Sequence, residues 1–438
     1  MESCLLSTGP IIRTGPNSLS FNTAPALQAI HRDRYANVKR GDWYKTLDIS
    51  SGAYSTQSVI DKGEHAFRRR VLNHAFSERA LIDAENVIAD NVSSFCDGLG
   101  TLPRDAKPGD WTERKNMSDW STWFGFDFIS NLSFGKSWEL CETEKNRYVP
   151  NVLRGTSQFL YYAGYLPFAA LIRPVLGTPV MHYIGGQAAA DSLRFTRLAN
   201  SSLVERVDAE EQAQSSGKEP RKYVFHYLLK SRDPVTGKGF SREELQADSG
   251  LLIAAGSDGV AHTISAAIFY LLRNPEVLAK LTEEIRSAPT KHDAREVLAG
   301  GIDIDGRHIP KGTTVGVPAY AIHHNELYYP SSWDFRPERW IVDGKTGVTL
   351  DSVGAARRAF CPFGAGPMSC VGKNMAYLAL KAALATLLYQ YDIRPAGEPT
   401  GGGSLDLEEG RRRVEEYQMI DYIAAYRNGP MIQLRARA

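Results

Sequence analysis

The chain has 438 residues, of which 43% are hydrophobic and 23% charged, and its formal net charge is +1 at pH 7. These are the proportions of a globular protein that can bury a large core. The near-neutral balance gives no electrostatic footprint for a nucleic-acid partner and no general attraction to anionic membranes. The five cysteines are scattered and form no disulfide framework, which indicates a reducing compartment.

The start of the chain carries no strong targeting signal. Its apolar run is too short for a signal peptide in residues 1–21. No uninterrupted apolar stretch in the chain reaches the roughly 18 residues that a membrane span needs. Taken by itself, the sequence therefore predicts a soluble chain.

Two helical regions follow in the first third of the chain. Apolar residues recur at helical intervals from about residue 61 to residue 99, which predicts two successive helices. His65 and Arg69 lie one turn apart in the first helix and therefore share a face. Residues 111–139 contain four tryptophans and predict an amphipathic helix with its lead-in, whose aromatic residues we assign to the core.

The middle of the chain has two stretches without a regular helical pattern. Residues 158–186 are apolar but are interrupted by Pro167, Arg173 and Pro174. Two interpretations stay open for them: a substrate-access lid that contacts a membrane surface, or poorly amphipathic core helices. Residues 205–222 are highly charged and predict a flexible loop.

The longest helical signal covers residues 241–273. Ser241 and Glu244 form a capping box at its start, and Pro275 suits the first turn of the next helix. The part from residue 248 to residue 273 would be roughly 39 Å long. Small residues at positions 254–256, which include Ala255 and Gly256, leave a groove midway that is expected to take a flat cofactor and a diatomic ligand. An acidic residue inside an apolar helix, Asp258, needs a task or a partner.

A glycine-rich loop near the C-terminus contains one cysteine, Cys370. A helix that begins just after it aims free N–H groups and a positive dipole at the sulfur, which favours the thiolate that an iron ligand needs. A structural cysteine in a glycine-rich loop is the alternative. Zinc is disfavoured because the chain has no C-x-x-C pair and no histidine at finger spacing.

This loop resembles the haem-ligand signature of the cytochrome P-450 family, F-x-x-G-x-x-x-C-x-G, formed here by Phe363, Gly366, Cys370 and Gly372. The resemblance implies that Cys370 is the axial thiolate ligand of a haem and that the other three residues shape its binding loop. Met368 departs from the pattern, since the family usually has Arg or His there to reach a haem propionate.

Two further places extend the resemblance. His65 and Arg69 match an H/W-x-x-x-R pair that holds haem propionates, and a charge-assisted bond from arginine to carboxylate is a physical reason for it. A solvated basic face is the alternative. Ala255, Gly256 and Asp258 match A-G-x-[DE]-T-[TS], which implies proton relay by Asp258. A carboxylate held by a core hydrogen bond or ion pair is the alternative.

The alcohol that normally follows the acidic residue is absent, because Gly259-Val260 stands where the family has Thr-Thr. His262 and Thr263 lie about one turn (5.4 Å) further along the same helix. One of them, or a substrate hydroxyl with water, is expected to take the place of this alcohol. A haem chemistry that does not oxygenate its substrate stays open.

The second departure is a missing segment near residue 294, where the family has a helix with E-x-x-R and a strand of the substrate pocket. Arg339, in a match to F-x-P-E-R-W, is therefore predicted to lack its partners, at a cost of about 3–5 kcal/mol if buried. Glu283 and Arg286 spell E-x-x-R in the preceding helix, which we interpret as coincidence. Either another group serves Arg339 or the chain is a shortened version of the protein, and we favour the second possibility. Eukaryotic members also begin with an anchor helix, so we interpret the chain as shortened in both places.

The resemblance implies a mostly α fold with a small β region, organised as one domain over residues 1–438, an incomplete cytochrome P-450 fold. One haem would lie between the helix around Asp258 and the loop of Cys370. The expected function is monooxygenation of a small lipophilic substrate, in fungal secondary metabolism. Haem-thiolate isomerisation or dehydration, and a non-catalytic remnant, are the alternatives.

The resemblance also implies the partners. No G-x-G-x-x-G motif opens a helix in this chain, so electrons are expected from NADPH through a separate cytochrome reductase. The complete protein is expected at the cytosolic face of the endoplasmic reticulum membrane, with peripheral membrane contact and no nucleic-acid partner.

Overall fold

The computed structural model describes residues 9–33, 35–47, 53–165, 179–217, 222–233, 236–287, 314–398 and 400–437. Helices make up most of the regular structure in these ranges, as predicted. In chain order they are α1 (Ala24–Leu27), α2 (Lys62–Ala75), α3 (Glu78–Asp83), α4 (Glu85–Leu99), α5 (Met117–Phe134), α6 (Val149–Tyr165), α7 (Pro179–Ser215), α8 (Val224–Lys230), α9 (Arg242–Arg273), α10 (Pro275–Ser287), α11 (Ala319–His323), α12 (Leu350–Ala359) and α13 (Lys373–Gln390).

The strands are short and belong to three small sheets. They are β1 (Ile11–Gly15), β2 (Ser18–Phe21), β3 (Lys115–Asn116), β4 (Thr314–Gly316), β5 (Tyr391–Pro395), β6 (Met419–Asp421), β7 (Ala425–Arg427) and β8 (Met431–Ala436). The chain divides into two compact units. The first contains Met1–Lys39, Pro289–Cys370 and Glu408–Gly410, and the second contains Arg40–Ala288, Val371–Leu407 and Arg411–Ala438. A single domain over residues 1–438 stays a prediction.

The first unit is built on a three-stranded sheet in the order β1-β2-β4. β1 and β2 pair antiparallel, and β2 pairs parallel with β4. α1 follows β2 directly. Its Ala24 and Leu27 lie in a small apolar core with Ile322, Tyr329 and Ala356.

The second unit is organised around α5 and α9, which pack along each other. The prediction that α5 is amphipathic is wrong, because buried residues lie on all its faces. Helices α4, α6, α7, α8 and α9 all pack against α5, so most of its surface is covered, although Asp119 in its first turn is exposed. Its aromatic residues are core residues, as predicted, and Phe124, Phe126 and Phe128 are buried.

Helix α9 forms as its sequence predicts. Ser241 is the N-cap, and the reciprocal bonds of a capping box join it to Glu244. The helix ends at Arg273, and α10 begins with Pro275. Among the described helices, α9 has the length and apolar composition to cross a membrane. The core helix of a soluble protein meets the same test.

Helices α5 and α9 approach closely where both have glycine. A Cβ atom on Gly125 would overlap the carbonyl oxygen of Ser257, and one on Gly256 would overlap the side chain of Ile129. Gly256 therefore serves the contact between the helices, and the groove predicted for positions 254–256 does not include it. The outward face of the same turn is Ala255.

The predicted loop at residues 205–222 is wrong for its first half, because α7 continues to Ser215. A buried ion pair explains the helix: Arg206 and Glu210 are one turn apart and face the core, and Glu210 Oε1 also lies 2.9 Å from His226 Nδ1. Charge alone predicted solvation, but only one side of this segment meets water. Residues 218–221 lie outside the described part of the chain.

The apolar segment at residues 158–186 is described only in part. Residues 158–165 complete α6, and the described part of α7 begins at residue 179. Residues 166–178, which contain all three of the interrupting residues, lie outside the described part. The choice between a lid and core helices therefore stays open.

The C-terminal part forms strands. β8 pairs antiparallel with β5 and with β3, while β6 and β7 form a separate hairpin. Residues 61–99, for which we predicted two helices, contain α2, α3 and α4.

We predict that Gly125→Ala destabilises the protein by about 1–3 kcal/mol, because its methyl group meets the backbone of α9 rather than a side chain that can rotate. The matched control is Gly250→Ala on α9, where a Cβ atom meets only Phe195 at 3.7 Å. This change should stabilise by about 0.4–1 kcal/mol through the entropy of the unfolded chain. Urea unfolding measures both variants, and equal effects would contradict the close helix contact.

Candidate functional site

At two positions, the backbone of the Cys370 loop has a conformation that only glycine adopts without strain. Gly364 and Gly366 have φ values of 68° and 63°, and a Cβ atom on Gly366 would overlap the carbonyl oxygen of His31. The Cys370 N–H donates to the Phe363 carbonyl oxygen at 2.8 Å. This turn leaves Cys370 exposed. Its sulfur is therefore accessible to a ligand or metal.

A histidine that the sequence analysis missed anchors the start of this loop. His323, the last residue of α11, accepts the Cys361 N–H at its Nε2 atom over 3.0 Å. Burial lowers the pKa of His323 to about 4, with a smaller effect of His324, and the neutral ring is the form that can accept this bond. The two residues are 38 positions apart, and no local pattern joins them.

His65 and Arg69 lie on α2 in a positively charged environment. His65 is 5% exposed. Burial, followed by the charges of Arg40, Arg69 and Arg68, lowers the pKa of His65 to about 4. Arg69 is half-buried, and its Nε donates to Asn73 at 3.1 Å. The concentration of guanidinium groups around a neutral imidazole is suited to a carboxylate ligand.

The neighbouring arginines have other tasks. Arg68 is buried and pairs with Glu64 at 2.9 Å and with Glu244 at 2.7 Å. Arg70 pairs with Asp233. The alternative of a solvated basic face therefore does not describe Arg68, which instead ties α2 to the first turn of α9. Binding of a propionate by His65 and Arg69 stays a prediction.

Helix α9 presents an open stripe formed by Ala255, Gly259 and Thr263, which are exposed and lie one turn apart. In the described part of the chain, no neighbouring atom lies within 4 Å of the position that a Cβ atom would take on Gly259. The Thr263 hydroxyl donates to the Gly259 carbonyl oxygen at 2.8 Å. Of the two residues considered as substitutes for the missing alcohol, Thr263 lies on this stripe.

His262 faces another way. Its ring stacks on Tyr417 with centroids 6.0 Å apart, and burial, followed by the charge of Arg427, lowers its pKa to about 4. A neutral, packed imidazole at this place is typical of a core residue. The packed position of His262 therefore favours Thr263 over His262 as the substitute for the missing alcohol.

Asp258 is held by the C-terminal hairpin. Its Oδ1 atom lies 2.8 Å from Arg427 Nη1, and its Oδ2 atom accepts the Ala425 N–H at 2.9 Å. These contacts correspond to the alternative considered for Asp258, a carboxylate in an ion pair. Proton relay stays a prediction. Arg427 was missed because it is 169 positions from Asp258 in sequence.

Arg339 is served by other groups than the Glu and Arg of the family segment, which is one of the two possibilities considered for it. Its guanidinium donates to the carbonyl oxygens of Pro330, Ser331 and Asp334 at 3.0–3.1 Å, and its Nε donates to that of Arg336 at 3.1 Å. Backbone carbonyls of a tight turn thus take the place expected for acidic side chains, and the half-buried position reduces the desolvation cost.

The E-x-x-R sequence of α10 has its own packing role. Arg286 contacts Asp392 of β5 at 3.3 Å and the carbonyl oxygens of Leu388 and Tyr391. These contacts agree with our interpretation of Glu283 and Arg286 as a coincidental match. The prediction of a missing segment near residue 294 concerns a part of the chain that lies outside the described residues.

The described residues fit a haem in three respects. In the first unit, an accessible thiol lies on a glycine turn. In the second unit, positive charge collects around His65, and α9 has an open stripe of small residues. Nowhere in the described ranges do three or more His, Cys, Asp or Glu side chains gather as a metal site. The thiol of Cys370 is a single soft donor, the kind of ligand that a haem iron takes from a protein.

Comparison with known proteins agrees with this chemistry. The sequence profile of the family described as Cytochrome P-450 matches residues 19–297 and 289–401. The cytochrome P-450 monooxygenase fscF of Fusarium equiseti is 33% identical over 466 aligned residues, which cover 98% of this chain and 85% of that protein. The cytochrome P-450 monooxygenase AKT7 of Alternaria alternata is 30% identical, with 99% and 87% covered.

We predict that His323 makes the protein sensitive to acid. Its pKa of about 4 lies below the 6.5 of the unfolded chain, so the unfolded state binds more protons between these values, and stability is lost as pH falls from 6.5 towards 4. His323→Gln keeps an acceptor for the Cys361 N–H. It should remove about 1–2 kcal/mol of the decrease in the free energy of unfolding between pH 7 and pH 5.

Urea unfolding at the two pH values measures this difference. His74→Gln, which removes an exposed histidine of α2, is the control and should keep the pH dependence of the original protein. An unchanged pH dependence in His323→Gln would show that His323 does not titrate differently in the two states.

Proposed function

Because the chain belongs to the cytochrome P-450 family, we propose that it inserts one oxygen atom of O2 into a small lipophilic substrate, as a tailoring step of fungal secondary metabolism. Family membership makes it an oxidoreductase of the monooxygenase type with a haem-thiolate cofactor. The observation that carries the proposal is the accessible Cys370 on a turn held open by two left-handed glycines.

Haem bound through a cysteine thiolate supplies O–O bond cleavage, while the protein provides the ligand, the pocket and the protons. In our proposal Cys370 is the ligand, and Phe363, Gly366 and Gly372 shape its loop. The hydrogen bond from the Cys370 N–H to Phe363 supports this role, because it fixes the turn around the sulfur.

We assign the haem carboxylates to His65 and Arg69. The exposed Ala255 gives a flat ring access to α9, and Gly256 acts indirectly by letting α9 approach α5. Met368 offers no charge for a second carboxylate. The guanidinium groups around His65 therefore have to provide more of the binding than the family pattern would require.

Protons are assigned to Asp258 and to water that reaches the open stripe of α9. Thr263 is our choice for the hydroxyl that orders this water, because it is exposed one turn beyond Gly259. The Thr263 hydroxyl donates its hydrogen to the Gly259 carbonyl oxygen, so the hydroxyl oxygen can accept a hydrogen bond from water.

We further propose that the electrons come from NADPH through a separate reductase at the cytosolic face of the endoplasmic reticulum, with peripheral membrane contact and no nucleic-acid partner. We keep the proposal that a segment is missing near residue 294. Two parts of the family match meet at residues 289–297, and the alignment to fscF is longer than this chain, which supports a gap.

One observation favours a second function. Gly259-Val260 replaces the pair of alcohols expected after the acid, so an isomerase or dehydratase that needs neither O2 nor reductase is the rival. It predicts product in anaerobic buffer without NADPH. A non-catalytic remnant, motivated by the missing segment, predicts a purified protein without a haem absorbance band.

We predict that the reduced, CO-bound protein shows the red-shifted difference band of a thiolate ligand and that Cys370→Ser abolishes it. Cys361→Ser is the matched control, since Cys361 is buried in the same unit and is not assigned to the metal. Loss of the band in Cys361→Ser, or its survival in Cys370→Ser, would overturn the assignment. A flat trace from the unmodified protein would support the remnant.

We predict that Arg69→Gln weakens haem retention by roughly tenfold, the effect of one lost charge-assisted hydrogen bond. Transfer of haem to excess apomyoglobin, followed by absorbance, measures the dissociation rate. Arg104→Gln removes the same charge from an exposed position and is the control. Equal rates in the two variants would exclude Arg69 from the cofactor site.

A further inference from the structure

A cluster of four tyrosines joins helix α6 to the hairpin of β6 and β7. Tyr161, Tyr162 and Tyr165 lie near the C-terminus of α6. Tyr422 lies between the two strands of the hairpin. The ring centroid of Tyr161 is 5.1 Å from that of Tyr165 and 5.6 Å from that of Tyr422. The ring of Tyr422 also contacts Tyr162, with centroids 5.9 Å apart, so the four rings form one aromatic network.

Other side chains of α6 also contact the hairpin. The guanidinium carbon of Arg154 lies 3.4 Å from the ring centroid of Tyr426. Gln158 Nε2 donates to the Tyr422 hydroxyl at 3.5 Å. Arg154, Gln158 and Tyr162 follow each other at intervals of four residues, so they lie on one side of α6. Among the described strands, β6 and β7 pair only with each other, and side-chain contacts therefore hold the hairpin against α6.

The hydroxyl groups of Tyr162 and Tyr422 meet at the end of this row of contacts. A hydrogen bond with Tyr422 is the first cause that raises the pKa of Tyr162, followed by the charge that Tyr422 carries when it is ionised. A hydrogen bond between two phenols brings together the ring carbons next to their hydroxyl groups. These are the carbons that couple when two tyrosyl radicals combine.

The same pair is open to an oxidant. Tyr162 is 57% exposed, and Tyr422 is half-buried. A one-electron oxidant in solution therefore reaches Tyr162 directly, and the radical formed there is in contact with Tyr422. Tyr389 is also 57% exposed, but the neighbour of its ring is the guanidinium group of Arg437 at 5.9 Å. Exposure alone therefore does not provide a coupling partner.

We propose that Tyr162 and Tyr422 form an oxidative cross-linking site, at which hydrogen peroxide and a one-electron oxidant of the peroxidase class join the two rings by a carbon–carbon bond. Each tyrosine loses one electron and its hydroxyl proton. The two radicals couple at the carbons next to the oxygens, and the protons on these carbons pass through water to the phenol oxygens. The released electrons and protons, two of each, reduce one hydrogen peroxide to two water molecules.

The new bond would turn a set of side-chain contacts into a covalent attachment of the hairpin to α6. The linked residues are distant in sequence, so the bond restricts the unfolded chain far more than the folded one. It should therefore shift the urea midpoint of unfolding upwards. Peroxide thus acts as a signal that fixes the hairpin in its observed position. This inference does not depend on the proposed function, since the oxidant comes from outside the chain.

The test treats the purified full-length protein, at low concentration, with hydrogen peroxide and a soluble haem peroxidase. We expect dityrosine fluorescence in the monomer band of a denaturing gel. After tryptic digestion, mass spectrometry should find one peptide pair that joins residue 162 to residue 422, lighter than the two separate peptides by two hydrogen atoms. Tyr162→Phe and Tyr422→Phe, which keep the ring and remove the hydroxyl, should abolish this product. Tyr389→Phe is the matched control and should leave its yield unchanged.

Tyr161→Phe separates the two rings of α6 that contact Tyr422. It should keep the cross-link, because the hydroxyl contact belongs to Tyr162. A product that joins residue 161 to residue 422, dityrosine found only between molecules, or an undiminished yield in Tyr422→Phe would overturn the inference. Urea unfolding of the untreated variants verifies that they fold. Equal midpoints for the original protein before and after complete cross-linking would contradict the fixing of the hairpin.

Discussion

The close crossing of α5 and α9 is the constraint on which the second unit depends. Gly125 and Gly256 bring the helix backbones so near that Ser257 and Ile129 fill the space where Cβ atoms would stand. The approach fixes the rotation of α9 about its axis. One side of its middle turn is therefore buried against α5, and the opposite side, with Ala255, stays open. Because a helix repeats every 3.6 residues, this single contact determines which residues of the turn are buried and which are exposed.

The loop of Cys370 depends on a different kind of constraint, the backbone conformation. Left-handed φ values at Gly364 and Gly366 turn the chain so that the cysteine is exposed. His323 holds the beginning of this turn by accepting a backbone N–H, which requires a neutral ring. In our proposal this accessible sulfur is the metal ligand, and the hydrogen-bonded turn pre-organises it for that role.

Two buried arginines of this chain form ion pairs with residues that are distant in sequence. Arg68 reaches Glu244, and Arg427 reaches Asp258, so that both attach other elements to α9. Arg339 differs, because backbone carbonyls of its own turn satisfy it. This explains how the turn keeps its arginine without the acidic partner expected for the family. The sequence does not show whether an arginine pairs across the fold or is satisfied by its own turn. The tertiary structure distinguishes these two cases.

The sequence by itself determined the features that depend on local chemistry. The capping box of Ser241, the proline that begins α10 and the glycine turn around Cys370 involve residues within a few positions of each other, so their patterns are readable in one dimension. Only the tertiary structure decided that α5 is buried on all faces, that residues 205–215 are helical and that Arg427 holds Asp258. Burial and ion pairing depend on residues that are distant along the chain. A local sequence pattern therefore does not show which distant segment will pack against it.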